Sequence, residues 1–232
     1  MKKWIFAAVP VILLLAIFLY TSVYYRADET ALDALQSDIV TQTDYGWLFD
    51  GPGDSSLLIF YPGAKVEETA YAPMLLQLAE SGLDVCLVKM PLHLAFFGSN
   101  KAEEIQRRYD YGKIYIGGHS LGGAMAAKYA SNHDMDGVIL LAAYPTKKLD
   151  EPMLIVYGSE DCVLNMERVK AAEQYGTVEE AVLDGGNHAQ FGNYGIQKGD
   201  GEAVITALEQ QTETVSRVAE WLRPNSPADS SL

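Results

Sequence analysis

From residue 56 onward, short apolar runs alternate with segments of helical spacing. The runs are 56–61 (SLLIFY), 84–89 (DVCLVK), 113–117 (KIYIG), 137–143 (GVILLAA), 153–157 (MLIVY) and 179–183 (EEAVL). Helical spacing falls over 71–81, 102–109, 121–131 and 165–175, and a long closing helix is expected over 201–222. Strands that are apolar throughout are buried on both faces. Alternated with helices, they predict an α/β fold with a mostly parallel sheet covered on both sides. Ahead of them, 38–43 and 45–50 are two strand-like runs around Thr43-Asp44, which predict an opening hairpin. GPGD at 51–54 is a turn.

The beginning of the chain follows neither period. Residues 4–25 (WIFAAVPVILLLAIFLYTSVYY) carry no charge. At about 1.5 Å per residue, they are long enough to span a hydrocarbon layer of about 30 Å. Lys2 and Lys3 precede the run, and Arg26, Asp28 and Glu29 follow it. The lysines belong on the cytoplasmic side, which places the domain beyond the membrane. A cleaved signal peptide is the alternative. Cleavage wants a short apolar core and an A-x-A-like site, and Thr21-Ser22-Val23-Tyr24-Tyr25 is a poor one. The resulting division is a transmembrane signal anchor over 1–26, a linker or short helix over 27–37, an α/β domain over 38–223 and a disordered Ser/Pro-rich tail over 224–232. The expected location is the cell membrane, single-pass, with the domain extracytoplasmic.

Charge narrows the partners. With 17 Lys and Arg against 31 Asp and Glu, the net charge is −14. Such a chain repels phosphate backbones, so nucleic acid is not an expected partner. Cys86 and Cys162 form no C-x-x-C pair and no metal spacing. Cys86 lies in a strand-like run and reads as a buried thiol; a disulfide between the two is left open. No phosphate-binding loop or dinucleotide fingerprint is present, so no cofactor and no metal are expected.

The chemistry concentrates at Gly118-His119-Ser120-Leu121-Gly122. The pattern G-x-S-x-G is weak alone, but here it leaves an apolar strand and opens a helix. Ser120 then sits on a sharp turn that lifts its hydroxyl clear of the sheet. Gly118 and Gly122 let strand and helix approach closely, and the rival reading is a plain helix cap. A serine needs a base. His188, in the glycine-flanked loop after the sixth run, is the candidate. His93 and His133 lie in other loops, and His119 is expected to point away from the reacting centre. Asp161, past the fifth run, is the candidate carboxylate, with Glu160 and Asp184 as rivals. The order Ser, Asp, His along the chain suits this arrangement. Oxyanion donors are expected from the backbone amides of Leu121 and of Ala64, the latter in Tyr61-Pro62-Gly63-Ala64-Lys65.

Four segments together, FYPGAKV, KMPLHLAFFG, GGHSLGGAMA and GGNHAQFGNYG, resemble the α/β-hydrolase superfamily, in particular its small members without a cap domain. The resemblance runs from about residue 38 to 222. It implies an eight-stranded, mostly parallel sheet and Ser120, Asp161 and His188 as a triad. It departs from many lipases and esterases in ending its oxyanion strand with Tyr-Pro-Gly instead of His-Gly. The nucleophile position holds Ser, where dienelactone-type relatives use Cys.

Only residues 144–152 join the fourth and fifth runs, which leaves no room for a lid. An open, shallow pocket is expected, with Leu92, Leu94, Phe96, Phe97, Tyr144, Phe191 and Tyr194 as candidate lining. The reading is a membrane-anchored serine hydrolase acting on small acyl esters. Acyltransferase, thioesterase or peptidase chemistry on the same triad is the alternative, and a non-catalytic binding module is the rival from another class. Oligomeric state is not legible.

Overall fold

The computed structural model describes residues 22–53 and 55–223. The membrane segment expected over 4–25 lies outside the described residues up to 21, as does the tail 224–232. No helix among the described residues is long and apolar enough to cross a membrane.

Eight strands form one sheet: β1 (Val40–Gln42), β2 (Gly46–Phe49), β3 (Ser56–Tyr61), β4 (Asp84–Val88), β5 (Lys113–His119), β6 (Gly137–Leu141), β7 (Met153–Gly158) and β8 (Val178–Leu183). Their spatial order is β1-β2-β4-β3-β5-β6-β7-β8. The opening hairpin pairs antiparallel, and β2 also joins β4 antiparallel. Every other pairing is parallel. The first five apolar runs correspond to the central strands β3–β7, as their two-sided burial requires, and the sixth is the edge strand β8. In β3, Leu57, Ile59 and Tyr61 enter one core and Leu58 and Phe60 the other. β8 at the edge keeps Glu179 and Glu180 exposed, and such charges discourage further strand pairing.

Among the described residues, six α-helices accompany the sheet: α1 (Glu29–Ala34), α2 (Ala72–Glu80), α3 (Lys101–Arg108), α4 (Leu121–Ala130), α5 (Met166–Lys170) and α6 (Ala207–Leu222). α3, α4 and α5 cover the face of Leu57 and Ile59; α2 and α6 cover the other. α1 is capped by Asp28, whose side chain accepts from the Ala31 amide, and Ala31 is buried.

The closing helix starts at Ala207, six residues later than its spacing suggested. Thr206 and Glu209 form a reciprocal capping box that sets this start. The residues ahead of it are used elsewhere: Asp200 and Gly201 bind the loop of His188. The helix expected over 165–175 breaks into α5 and a separate 3-10 turn at Ala172–Tyr175. Both cysteines are free. Cys86 is buried and its Sγ lies 3.2 Å from the Tyr45 hydroxyl; burial pushes its thiol up to about 12.

Candidate active site

The parallel strands present their C-terminal ends to one edge, and the loops leaving that edge carry the expected residues. β5 ends at His119 and α4 begins at Leu121, so one residue makes the turn. Ser120 adopts φ 53° and ψ −120°. A side chain there is strained, and the surrounding structure has to hold it. Its hydroxyl makes no capping bond to the helix, which removes the plain-cap reading. The Ser120 amide donates to the Leu141 carbonyl at 2.9 Å, tying the turn to β6. The glycines around it have no room for a side chain. A Cβ on Gly122 would overlap the carbonyl oxygens of Tyr61 and Pro62, and one on Gly118 would overlap that of Tyr61.

Asp161 and His188 are brought together from loops 27 residues apart. Oδ2 of Asp161 lies 2.9 Å from Nδ1 of His188. Oδ1 accepts from the amides of Val163 and Leu164, both at 2.8 Å. These bonds orient the carboxylate before the histidine meets it. Both side chains are shielded from solvent. Nε2 of His188 is buried and has no partner. A catalytic hydrogen bond to the serine is often loose before substrate binds. The rivals are elsewhere: Glu160 is exposed and accepts from Ser159, and Asp184 is exposed.

A cavity of about 410 Å³ opens over Ser120. Gly63, Ala64, Lys65 and Val66 form one side. The Gly63 amide donates to the Tyr71 hydroxyl at 3.0 Å and the Lys65 amide to the His93 carbonyl at 2.7 Å. Ala64 lies between these two committed amides and faces the cavity. The Leu121 amide belongs to the first turn of α4, whose donors have no partner within the helix.

A model of the alpha/beta hydrolase family matches residues 57–212, more than half of the chain. The chain belongs to the alpha/beta hydrolase family. No curated protein matches in sequence. Among solved structures, a predicted CIB-like hydrolase from Thermoplasma acidophilum superposes with TM-score 0.58 at 14% identity, covering 79% of this chain and 98% of that one. Esterase 2 of Thermogutta terrifontis gives 0.54 at 15%, over 76% and 85%. An esterase from Pyrobaculum calidifontis gives 0.56 at 16%, over 83% and 89%. These likenesses are of fold. As in the sequence reading, no cap intervenes: among the described residues, no helix or strand lies between β6 and β7 of this hydrolase.

Two expectations about the hydrolase site are corrected. None of the seven candidate lining residues lines the cavity. Phe191 is buried against the His119 ring, 5.6 Å between centroids, and Tyr194 is buried behind it. Leu92, Phe96 and Phe97 are exposed. Val23, Tyr24, Tyr25, Gln197 and Lys198 line the cavity instead. His119 does not point away either. It lines the cavity and packs on His188 at 4.6 Å between ring centroids. Its Nδ1 is 2.8 Å from the Tyr71 hydroxyl, which also accepts from the Gly63 amide, so Tyr71 links the loop of Ala64 to His119.

Further residues of the hydrolase that sequence reasoning missed hold the histidine loop. Asp200 accepts from the amides of His188 at 3.2 Å and Ala189 at 2.8 Å. Gln210 on α6 is fully buried, accepts from the Asn187 amide at 2.9 Å and donates to its carbonyl at 2.8 Å. The available signal was weak: Gln210, Gln211 and Thr214 are polar residues on the buried side of α6.

Burial, and then the neighbouring His188, hold the pKa of His119 well below 6.5, against a smaller opposing effect of the His188 backbone. In the unfolded chain a histidine titrates near 6.5. Below that pH the unfolded state binds a proton that the folded state refuses, so stability falls as pH drops, by up to about 1.4 kcal/mol per pH unit. His119→Gln is expected to flatten the decline in unfolding free energy between about pH 6.5 and 5, measured by urea titration at each pH. Parallel slopes in the two proteins would contradict it.

Proposed function

We propose that this chain is a membrane-anchored serine hydrolase that cleaves small carboxylic esters through an acyl-enzyme on Ser120. His188 takes the serine proton as the hydroxyl attacks the ester carbonyl. The amides of Ala64 and Leu121 hold the oxyanion, and the intermediate collapses as His188 passes the proton to the departing alcohol. Water, deprotonated by His188, then releases the carboxylic acid and restores Ser120. Asp161 keeps the imidazole proton on Nδ1 and stabilises the imidazolium.

The observation that carries the reading is the enclosed Asp161–His188 pair, with Nε2 left unpartnered, packed on His119 next to a serine held in a strained turn. Strain of this kind persists where function uses it. Two solved forms of the Thermogutta enzyme have propionate and butyrate bound, and another is phosphoramylated by tabun. A cavity of about 410 Å³ has room for acyl groups of that size together with the alcohol part. The anchor rests on the uncharged run 4–25 and the lysines before it.

Labelling with a fluorophosphonate followed by mass mapping tests the mechanism. The adduct is expected on Ser120, absent from Ser120→Ala and slowed at least about 100-fold in His188→Ala. Folded protein that takes no label would overturn the mechanism.

A further inference from the structure

One wall of the cavity comes from no loop of the sheet. Val23, Tyr24 and Tyr25 supply it, and the segment they begin is fastened across both loops that frame the site. Tyr25 bridges Val66 in parallel register: its amide donates to the Lys65 carbonyl at 2.7 Å, and its carbonyl accepts from the Glu67 amide at 2.8 Å. The Ala27 amide donates to the Glu67 carboxylate at 3.1 Å. On the other side, the Asp28 amide donates to the Asn193 carbonyl at 2.9 Å, and the Tyr25 hydroxyl accepts from the Lys198 amide at 3.1 Å. Tyr24 stacks on His93 with 3.9 Å between centroids. The strap therefore joins the loop of Ala64 to the loop that follows His188.

In sequence, these wall residues are the last three of the uncharged run 4–25. Only Thr21 and Ser22 separate Tyr20 from Val23. Three peptide units reach at most about 11 Å, and the headgroup layer on one side of a bilayer is about 5–7 Å deep. A chain anchored by this run has no spacer with which to lift the cavity clear of the lipid surface. The same edge exposes Leu92, Phe96, Phe97 and Ile196, the last beside the cavity residue Gln197 and 94% exposed. Exposed large apolar side chains in loops that adjoin a site suit an interface. In a chain of net charge −14, the described cavity lining includes Lys65 and Lys198 and no carboxylate.

We infer that the cavity opens onto the bilayer surface and that the substrate is a short acyl ester carried by a membrane amphiphile. The acyl group enters the cavity while the apolar alcohol part remains in the lipid. The bond broken and the proton transfers are those of the hydrolysis above, and the inference rests on the anchored-hydrolase reading.

The test uses the full chain in vesicles of a diether phosphatidylcholine, which has no ester of its own. Two substrates share one acyl group: a dialkylglycerol butyrate held in the bilayer and p-nitrophenyl butyrate in water. A variant carries a Gly/Ser spacer of roughly 12 residues between Thr21 and Ser22, long enough to move the domain by about 17–20 Å while keeping the strap. The spacer is expected to lower kcat/KM on the lipid-borne ester at least about tenfold and to leave the soluble ester within about twofold. Losses that are equal, or absent, overturn the inference. As a second readout, Ile196→Cys carrying an environment-sensitive dye, in a Cys162→Ser background, is expected to shift to the emission of lipid contact; emission as in water overturns it. Missing fluorophosphonate label on Ser120 would instead sink the hydrolase, and extraction of the chain by alkaline carbonate would sink the anchor. Either takes the inference with it, and with both intact the spacer result judges the inference alone.

Discussion

Replacing Asp161 with asparagine is expected to lower kcat on a short-chain chromogenic ester by about 10⁴-fold with the fold retained. The effect follows from which atoms Asp161 meets. Its Oδ1 accepts two backbone amides, from Val163 and Leu164, and its Oδ2 faces His188 Nδ1. An asparagine keeps its carbonyl oxygen on the two amides, because turning the NH₂ group toward them would set donors against donors. The NH₂ then faces Nδ1. A donor there forces the imidazole proton onto Nε2, the atom that accepts the serine proton in the proposed mechanism. The ring stays in place in the wrong tautomer. Melting temperature within about 3 °C of wild type would show that the loop survived. A loss of less than about tenfold would remove Asp161 from the proposed mechanism. A large loss together with a large fall in melting temperature would assign the effect to folding.

Gly122→Ala is expected to destabilise the protein by about 3 kcal/mol and to lower its melting temperature by about 6–12 °C. Two effects oppose each other. Alanine in a helix gains about 1 kcal/mol over glycine. Against that, the new Cβ would overlap the carbonyl oxygens of Tyr61 and Pro62. These are backbone atoms at and just past the end of β3, which is paired with β5 through Tyr61 and Gly118, so they cannot rotate away as a side chain tip would. Overlap with backbone wins. The same displacement carries Gly63 and Ala64 with it, so esterase activity is expected to fall more than stability accounts for. Calorimetry and initial rates on the same sample measure both. A melting temperature within about 2 °C of wild type would show that β3 can retreat.

The elbow was legible because its sequence signature is local. A strand, one residue at positive φ and a helix follow each other within a few positions, and Gly118 and Gly122 mark the close approaches. The central strands were legible for a related reason: burial on both faces writes unbroken apolar runs, and five such runs between helical segments admit few architectures. Asp161 and His188 could be placed on the correct edge by the strands that precede them. Their hydrogen bond could not be read, since it joins two loops 27 residues apart.

His119 shows where local reasoning stopped. Its position beside Ser120 suggested a ring turned away, yet Tyr71, 48 residues earlier, holds it against His188. Asp200, one residue ahead of the segment expected to be the closing helix, gave no local signal, yet its two oxygens accept from the amides of His188, Ala189 and Gly201. The pocket wall was misjudged for the same reason: aromatic residues near the site in sequence were counted as lining, while Val23–Tyr25 arrive from far along the chain.

The sequence by itself determined the family's layered sheet, the strained serine and the order of the candidate triad, because periodicity and turn chemistry act over a few neighbouring residues. Only the tertiary structure decided which amide of the 61–65 loop is left facing the cavity, what orients His188 and which segment closes the cavity. Those are hydrogen bonds and packing contacts between residues tens of positions apart, and they exist once the sheet has brought its loops to one edge.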